Sequence, residues 1–373
     1  MAIDFPNAPA LNQTFTVSGV TWQWDGTKWI VGGVITQGPL DAALHVPLNI
    51  NSSMQVSQES GAGNIAVISN KYLVDGFIIG FVNATVASTW VQAGVPNGNA
   101  PSVGGSQNWL AVNITTAGAT IAAGDVYLFQ VPLEGTAVAR LAWGTANARP
   151  VVVRFTIAAP MAGTYALIVI NAASNRTYVR TFALATVNAF QTFYLTIPGD
   201  TIGTWPKDTS KNMTVGIAFA AGTTYQTAPG IWTAGTFFGA TGQTNGIGVT
   251  GTWYIQDFAV YDATGFATDT GPPFVVPAYE QELARCMRYY QQVSSNALIT
   301  PTAANQYLAA NVILSPPMRA SPTLTVIGAT NNSNIGAVTN DTISANGFRQ
   351  IAQSSAAAGF AQFSQSMKCD ARL

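Results

Sequence analysis

Three aromatic residues stand in stretches rich in Gly, Asn and Thr, each with a carboxamide close by in sequence. Trp109 follows Asn108, Tyr225 precedes Gln226, and Trp232 is followed by Gln243 in the next loop. A flat ring offers an apolar face, and an amide offers both a donor and acceptors. Together they suit a neutral polyol, with the ring against a pyranose face and the amide on its hydroxyls. Loop aromatics are better candidates for ligand contact than strand aromatics, which usually pack inward. Trp205, Phe219 and Trp253 are therefore assigned to the core.

Hydrolytic chemistry finds fewer parts. Cleaving a glycosidic bond needs two carboxyl groups about 5–9 Å apart. The chain has 16 Asp and Glu, and the glutamates are Glu59, Glu134, Glu280 and Glu282. None forms a convincing pair in sequence, although pairs that meet only in the fold stay open. Asp257 and Asp262 flank one strand and its turn, where hydrogen bonding or a structural Ca²⁺ would fit. His45 is the single histidine, so any Ser-His-Asp or Cys-His arrangement would run through it. It lies in the apolar run Ala43-Leu44-His45-Val46-Pro47, where a packed histidine is expected. Cys286 and Cys369 lie far apart and are expected to be buried thiols. No zinc spacing exists, and no catalytic residue, metal or cofactor is assigned.

Composition points the same way. Only 8% of the 373 residues are charged and the net charge is −1, against about 25% charged in an ordinary soluble domain. Nucleic acid, which demands a basic stripe, is excluded as a partner. No apolar run is long enough for a membrane helix, and no secretory signal is read at the N-terminus. A neutral surface of Thr, Ser, Asn, Gln and Gly suits subunit packing and sugar contact, so self-association, as a homotrimer, is expected.

The elements that must position these residues are strands. Period-two runs at Val151–Ile157, Tyr165–Ile170, Phe190–Ile197, Val215–Ala220, Trp253–Tyr261 and Leu324–Ile327 alternate with turn residues, predicting an all-β sandwich or jelly roll. One helix is expected from Pro277 to Gln291, with a Leu283, Met287 and Tyr290 stripe and with Glu280 and Glu282 serving its N-terminus. Near the N-terminus, Trp22, Trp24 and Trp29 surround Asp25-Gly26, a hairpin signal. If that pair forms a two-residue loop, Trp22 faces Trp29 across the ladder. The expected organisation is a small hairpin module over residues 1–35, a jelly roll over 36–275, a connector helix over 276–293 and a C-terminal β domain over 294–373.

Asn51-Ser52-Ser53-Met54-Gln55-Val56-Ser57-Gln58-Glu59, followed by Tyr72-Leu73-Val74-Asp75-Gly76-Phe77, resembles the opening of a module common in bacteriophage tail-fibre and virion structural proteins. Ile197-Pro198-Gly199-Asp200, Gly203-Thr204-Trp205, Trp232-Thr233-Ala234-Gly235 and Gly242-Gln243-Thr244-Asn245 are similar to its later segments. The helix Glu282 to Gln291 resembles its close. Pro317 to Thr323 and Cys369 to Leu373 resemble the strand module that usually follows. Phe5-Pro6, Gln13 to Phe15 and Trp22 to Gly26 resemble a short attachment module.

The resemblance implies a carbohydrate-binding-module-like jelly roll on an oligomeric appendage that recognises a host surface. The absence of a collagen-like or coiled-coil shaft favours a spike, a short fibre, or a head or collar fibre. The expected protein is a virion component, assembled in the bacterial cytoplasm and acting outside it. It would attach through Trp22, Trp24 and Trp29 to other virion proteins and bind host polysaccharide without catalysis. A structural adaptor and a polysaccharide depolymerase are the alternatives.

Overall fold

The computed structural model describes residues 4–10, 13–17, 20–24, 26–31, 45–61, 64–66, 71–82, 89–94, 106, 108–357 and 359–373. The chain forms two compact units, Met1–Val46 and Pro47–Leu373.

The first unit is a three-stranded antiparallel sheet of β1 (Thr14–Val17), β2 (Val20–Trp24) and β3 (Trp29–Val31). Phe15 pairs with Trp22, and Trp24 pairs with Trp29. The expected pairing of Trp22 with Trp29 is therefore corrected: Trp22 faces Val31. Four residues, not two, separate β2 from β3, which shifts the register by two. Asp25 and residues 32–44 lie outside the described residues. Phe5 closes the sheet face, stacked on Trp29 at 5.3 Å and edge-on to Trp22 at 5.2 Å. Phe15 and Trp24 also contact Trp29, so the aromatic rings make a core of their own.

The second unit begins with β4 (Asn64–Ala66), β5 (Lys71–Val74), β6 (Phe77–Val82), β7 (Thr89–Gly94), β8 (Trp109–Ile114) and β9 (Val126–Glu134). It continues with β10 (Val151–Ala158), β11 (Gly163–Asn171), β12 (Arg176–Leu184), β13 (Gln191–Ile197) and β14 (Lys211–Ala221). Then come β15 (Gln226–Thr227), β16 (Trp232–Ala234), β17 (Gly239–Ala240) and β18 (Gly251–Asp262). Thirteen of these make a six-stranded sheet, β13-β10-β18-β8-β7-β4, and a seven-stranded sheet, β16-β12-β11-β14-β9-β6-β5, while β15 and β17 pair in parallel as a two-stranded sheet of their own.

The inner faces meet in an aromatic and branched core. Phe129 of β9 contacts Phe258 of β18 at 5.1 Å and Phe77 at 5.4 Å. Trp253 is fully buried against Tyr165 and Phe219, as assigned. Every residue of β10 is buried, which needs cover on both faces. Its outer residue Val152 packs with Ala259 and Tyr261 of β18 and Tyr194 of β13, and Phe274 from the segment after β18 joins them. The outer face of the seven-stranded sheet is covered likewise, by Tyr225, Phe237 and Phe238 over Leu128, Ile168 and Ala218. Both faces of the central strands thus read as continuous apolar runs rather than strict alternation.

A short helix, Tyr279–Met287, follows. Its buried face runs through Glu282 and Cys286, not through the expected Leu283 and Met287 stripe. Glu282 accepts a 2.6 Å hydrogen bond from the Asn51 backbone N–H and pairs with Arg285. It reaches a neighbouring segment instead of capping its own helix.

The C-terminal strands are β19 (Tyr290–Ile299), β20 (Tyr307–Ile313), β21 (Thr323–Ser333), β22 (Thr339–Ser344), β23 (Gly347–Gln353) and β24 (Ala361–Asp370). They form two three-stranded sheets, β19-β24-β21 and β20-β23-β22. Between them lie Val312, Phe348 and Met367, and a buried polar network in which Gln350 donates to Asn340 and Gln365.

The motif residues 51–59 stitch these parts together. The Asn51 side chain bonds the backbone of Val56 and Asp75. The Gln58 amide donates to Asp75 and to the Tyr290 carbonyl. Glu59 pairs with Lys368 and Arg372. Cys286 and Cys369 are free and buried, as expected, and burial pushes both thiols up, that of Cys369 to about 11.

Candidate ligand-binding face

Antiparallel register places three half-buried aromatics on the outer face of the six-stranded sheet. Ala111 of β8 pairs with Tyr254 of β18, which pairs with Ala158 of β10. The small alanines leave the Tyr254 ring standing proud. Trp109, at the start of β8, meets it edge-on at 6.4 Å. Phe190, just before β13, meets it from the other side at 5.8 Å. Next along the sheet, the Thr252 hydroxyl donates to the exposed Asn113 side chain at 3.2 Å. No charged side chain lies among these five residues. The face is therefore an aromatic strip edged by a hydroxyl and a carboxamide.

The adjoining floor is polar and closed. β18 carries an extra residue opposite Phe155, so Asp257 adopts a left-handed φ of 53°. Gln256 and Asp257 then both fall on the outer side, while Ile255 and Phe258 point to the core. The Gln256 amide donates to the Ser106 carbonyl, and the Ser106 hydroxyl donates to the Ser53 carbonyl. Arg154 lies 3.5 Å from the Asp257 carboxylate and donates to Tyr194 at 3.1 Å, with Phe274 over its guanidinium. Burial pushes the Asp257 carboxyl up to about 6, against the opposing pull of Arg154.

The carboxamide and aromatic candidates occupy three separate places. Asn108 adjoins Trp109 but is buried, its backbone N–H bonded to the Ser106 hydroxyl. Tyr225 lies against Phe238 at 5.4 Å over the seven-stranded sheet. Gln226 and Gln243 line a cleft of about 200 Å³ with Thr223, Thr244 and Asn245. Both glutamines are tied to backbone, Gln226 to Ala221 and Gln243 to Ala240. Trp232 opens β16 and completes a cluster with Trp143 and Trp205 at 5.4 and 5.5 Å. Its indole N–H donates to the Pro198 carbonyl, and Arg176 lies over its ring. Trp109 and Trp232 thus begin strands rather than lying in loops.

Tyr254 and Phe190 were missed by sequence reasoning, which read their segments only as strands. The signal was available in the alternation of Trp253 and Tyr254, since one must face outward when the other is core.

Several acidic residues are engaged by basic ones. Asp200 receives two 2.8 Å bonds from Arg176, Asp262 lies near Arg140 and Arg149, and Glu134 bonds Arg288 and Tyr289. Among the described residues, no group of three or more His, Cys, Asp or Glu has metal-holding geometry. Asp257 faces Arg154, a fixed cation, which fits a Ca²⁺ ligand poorly.

No protein-family model matches the chain, and no curated protein matches it. Solved structures similar to parts of it include the enzymatically active domain of bacteriophage CBA120 tailspike protein 4. That match has 7% identity and a TM-score of 0.27, covering 50% of this chain and 19% of the tailspike. A family 4 carbohydrate-binding module matches at 13% identity and TM-score 0.27, over 55% of this chain and 99% of the module. The family 11 module of Clostridium thermocellum, in complex with a β-1,3-1,4-mixed-linked tetrasaccharide, matches at 9% identity and TM-score 0.26. It covers 57% of this chain and 100% of the module.

Proposed function

We propose that this chain is a non-catalytic, glycan-binding component of a bacteriophage fibre or spike, and that it holds a neutral saccharide against Trp109, Tyr254 and Phe190. The observation that carries the reading is the uncharged aromatic strip, in which Ala111 and Ala158 flank Tyr254, Trp109 and Phe190 meet its ring, and Thr252 and Asn113 supply the polar edge. Pyranose rings have apolar faces and hydroxyl rims, and this strip complements both. The virion setting rests on the resemblance of residues 51–59, 197–205 and 282–291 to phage structural modules. In this reading the tryptophan sheet of the first unit attaches to the particle.

The test is a glycan array probed with the full chain, followed by titration of any ligand found. Trp109→Ala and Tyr254→Ala should each weaken binding by at least about tenfold, as loss of a central aromatic anchor does. Absence of binding to every host surface polysaccharide would refute the receptor role. Unchanged affinity in both variants would move the site elsewhere. Loss of polymer viscosity on incubation would turn the reading towards hydrolysis.

A further inference from the structure

The geometry points to a self-association site in the C-terminal strands, where edge strand β21 of one copy enters the open seam between β19 and β20 of another.

The seam exists because β19 and β20 are both edges. Among the described residues, β19 forms a ladder only with β24, and β20 only with β23. They run beside each other with no ladder between them. Between Val293–Asn296 and Ala310–Ile313 lies a groove of about 520 Å³, with Ser364 on its wall and no charged residue. Ile313 at its lip is 80% exposed.

The occupant is available on the opposite edge of the same sheet. Among the described residues, β21 pairs only with β24, and that pairing is interrupted by an extra residue at Ile327 and again between Thr330 and Ser333. Val326 and Ile327 are consequently both exposed, at 47% and 45%. Natural edge strands are usually blunted by charge, proline or bulges, and of these β21 carries only bulges. β19, β20 and β21 contain no Lys, Arg, Asp, Glu or Pro. The remaining edge, β22, is different, since Asp341 on it is ion-paired with Arg349.

A second copy is the occupant these features select. Both surfaces are neutral, so a charged partner gains nothing from either. An added strand would pair its backbone with an open edge and place alternate side chains in the groove. Because groove and strand lie on opposite edges of one sheet, the contact is head-to-tail, the kind that closes into a ring where the rotation between copies closes and extends into a filament where it does not.

The test measures the solution mass of the full chain at micromolar concentrations. Wild type should sediment as a multimer, and Ile313→Asp and Val326→Asp should each reduce it to the single-chain mass. Far-ultraviolet circular dichroism and thermal unfolding check that the variants fold. Should either aspartate variant unfold, the pair Asn311→Cys and Val326→Cys gives a second readout. Mild oxidation of the double variant should yield disulfide-linked ladders on a non-reducing gel, absent from each single variant. A monomeric wild type, folded aspartate variants of undiminished mass, or a double variant without ladders would each overturn the proposal. Multimers that persist in folded aspartate variants would place self-association on another surface. Glycan binding at Trp109 is read separately, so failure of that site leaves this result intact.

Discussion

The carboxylate of Glu282 accepts the backbone N–H of Asn51 at 2.6 Å, joining the helix to the first segment of the sandwich across 231 residues of sequence. The side chain is fully buried and also pairs with Arg285. Arg285 in turn donates to the carbonyls of Pro47 and Asn49. Glu282→Ala leaves a guanidinium and an amide without their anion. It should destabilise the second unit by about 3 kcal/mol, the range for breaking a buried pair from one side. Urea unfolding measures this, and a loss below about 1 kcal/mol would mean that water replaces the carboxylate.

Stability should depend on pH through two buried acids. Burial pushes the carboxyls of Asp75 and Asp257 up to about 6 from 3.8, despite hydrogen bonds from Gln58 to the former and the charge of Arg154 near the latter. Each binds its proton more tightly in the folded state than in the unfolded one. Their contribution is complete below 3.8 and is lost as pH rises through about 6. At about 1.4 kcal/mol per unit this is on the order of 2–3 kcal/mol apiece. Glu59 works in the other direction: burial raises its carboxyl, but the bonds from Lys368 and Arg372 outweigh that and hold it low. Its contribution is present above 4.5 and lost as pH falls through its lowered pKa. Denaturant midpoints should therefore fall between about pH 4.5 and 6, and Asp75→Asn should flatten that slope. An unchanged slope in the variant would assign the effect to other groups.

Trp232→Ala should act on stability rather than on ligand. It removes the ring that contacts Trp143, Trp205 and Tyr178, together with the bond to Pro198. A loss of about 3 kcal/mol is expected from a packed tryptophan. Any glycan affinity found at Trp109 should persist in this variant. Selective loss of affinity with normal stability would instead return Trp232 to the binding site.

Arg372 should hold the C-terminal strands to the sandwich. Its guanidinium lies 4.4 Å from the Tyr72 ring and 4.5 Å from Tyr290, and bonds Glu59 and Asp370. Arg372→Ala should separate the melting of the two parts, seen as a second calorimetric transition. Arg372→Lys should not restore a single one, because an ammonium cannot stack and fork at once. A single transition in both variants would show that the remaining contacts couple the parts unaided.

Deleting residues 1–33 should leave the second unit folded, since the aromatic rings of the first unit pack on one another. The proposed role predicts that this truncation no longer enters particles. Normal incorporation would reverse the polarity assigned to the chain.

The fold class was legible in the sequence because strand patterning is local. Runs such as Val151–Ile157 and Trp253–Tyr261 declare themselves through branched and aromatic residues between turn signals, and each became a strand. The core roles of Phe219 and Trp253 followed from the same pattern, whereas Trp205 is buried between strands. Low charge density, the lack of a sequence-local acid pair and the position of the helix were equally local facts. What the sequence could not hold was register and cover. Whether Trp22 meets Trp29 or Val31 depends on loop length, and one shift reassigns every partner. That Glu282 turns inward depends on an unpaired Asn51 amide far away in sequence. Tyr254 became part of a half-buried strip because Ala111 and Ala158 flank it on neighbouring strands, while Tyr225 and Trp232, as aromatic in sequence, pack against Phe238 and against Trp143 and Trp205. Side-chain type sets what a residue can do. Neighbours brought together by long-range pairing decide which residues remain free to do it.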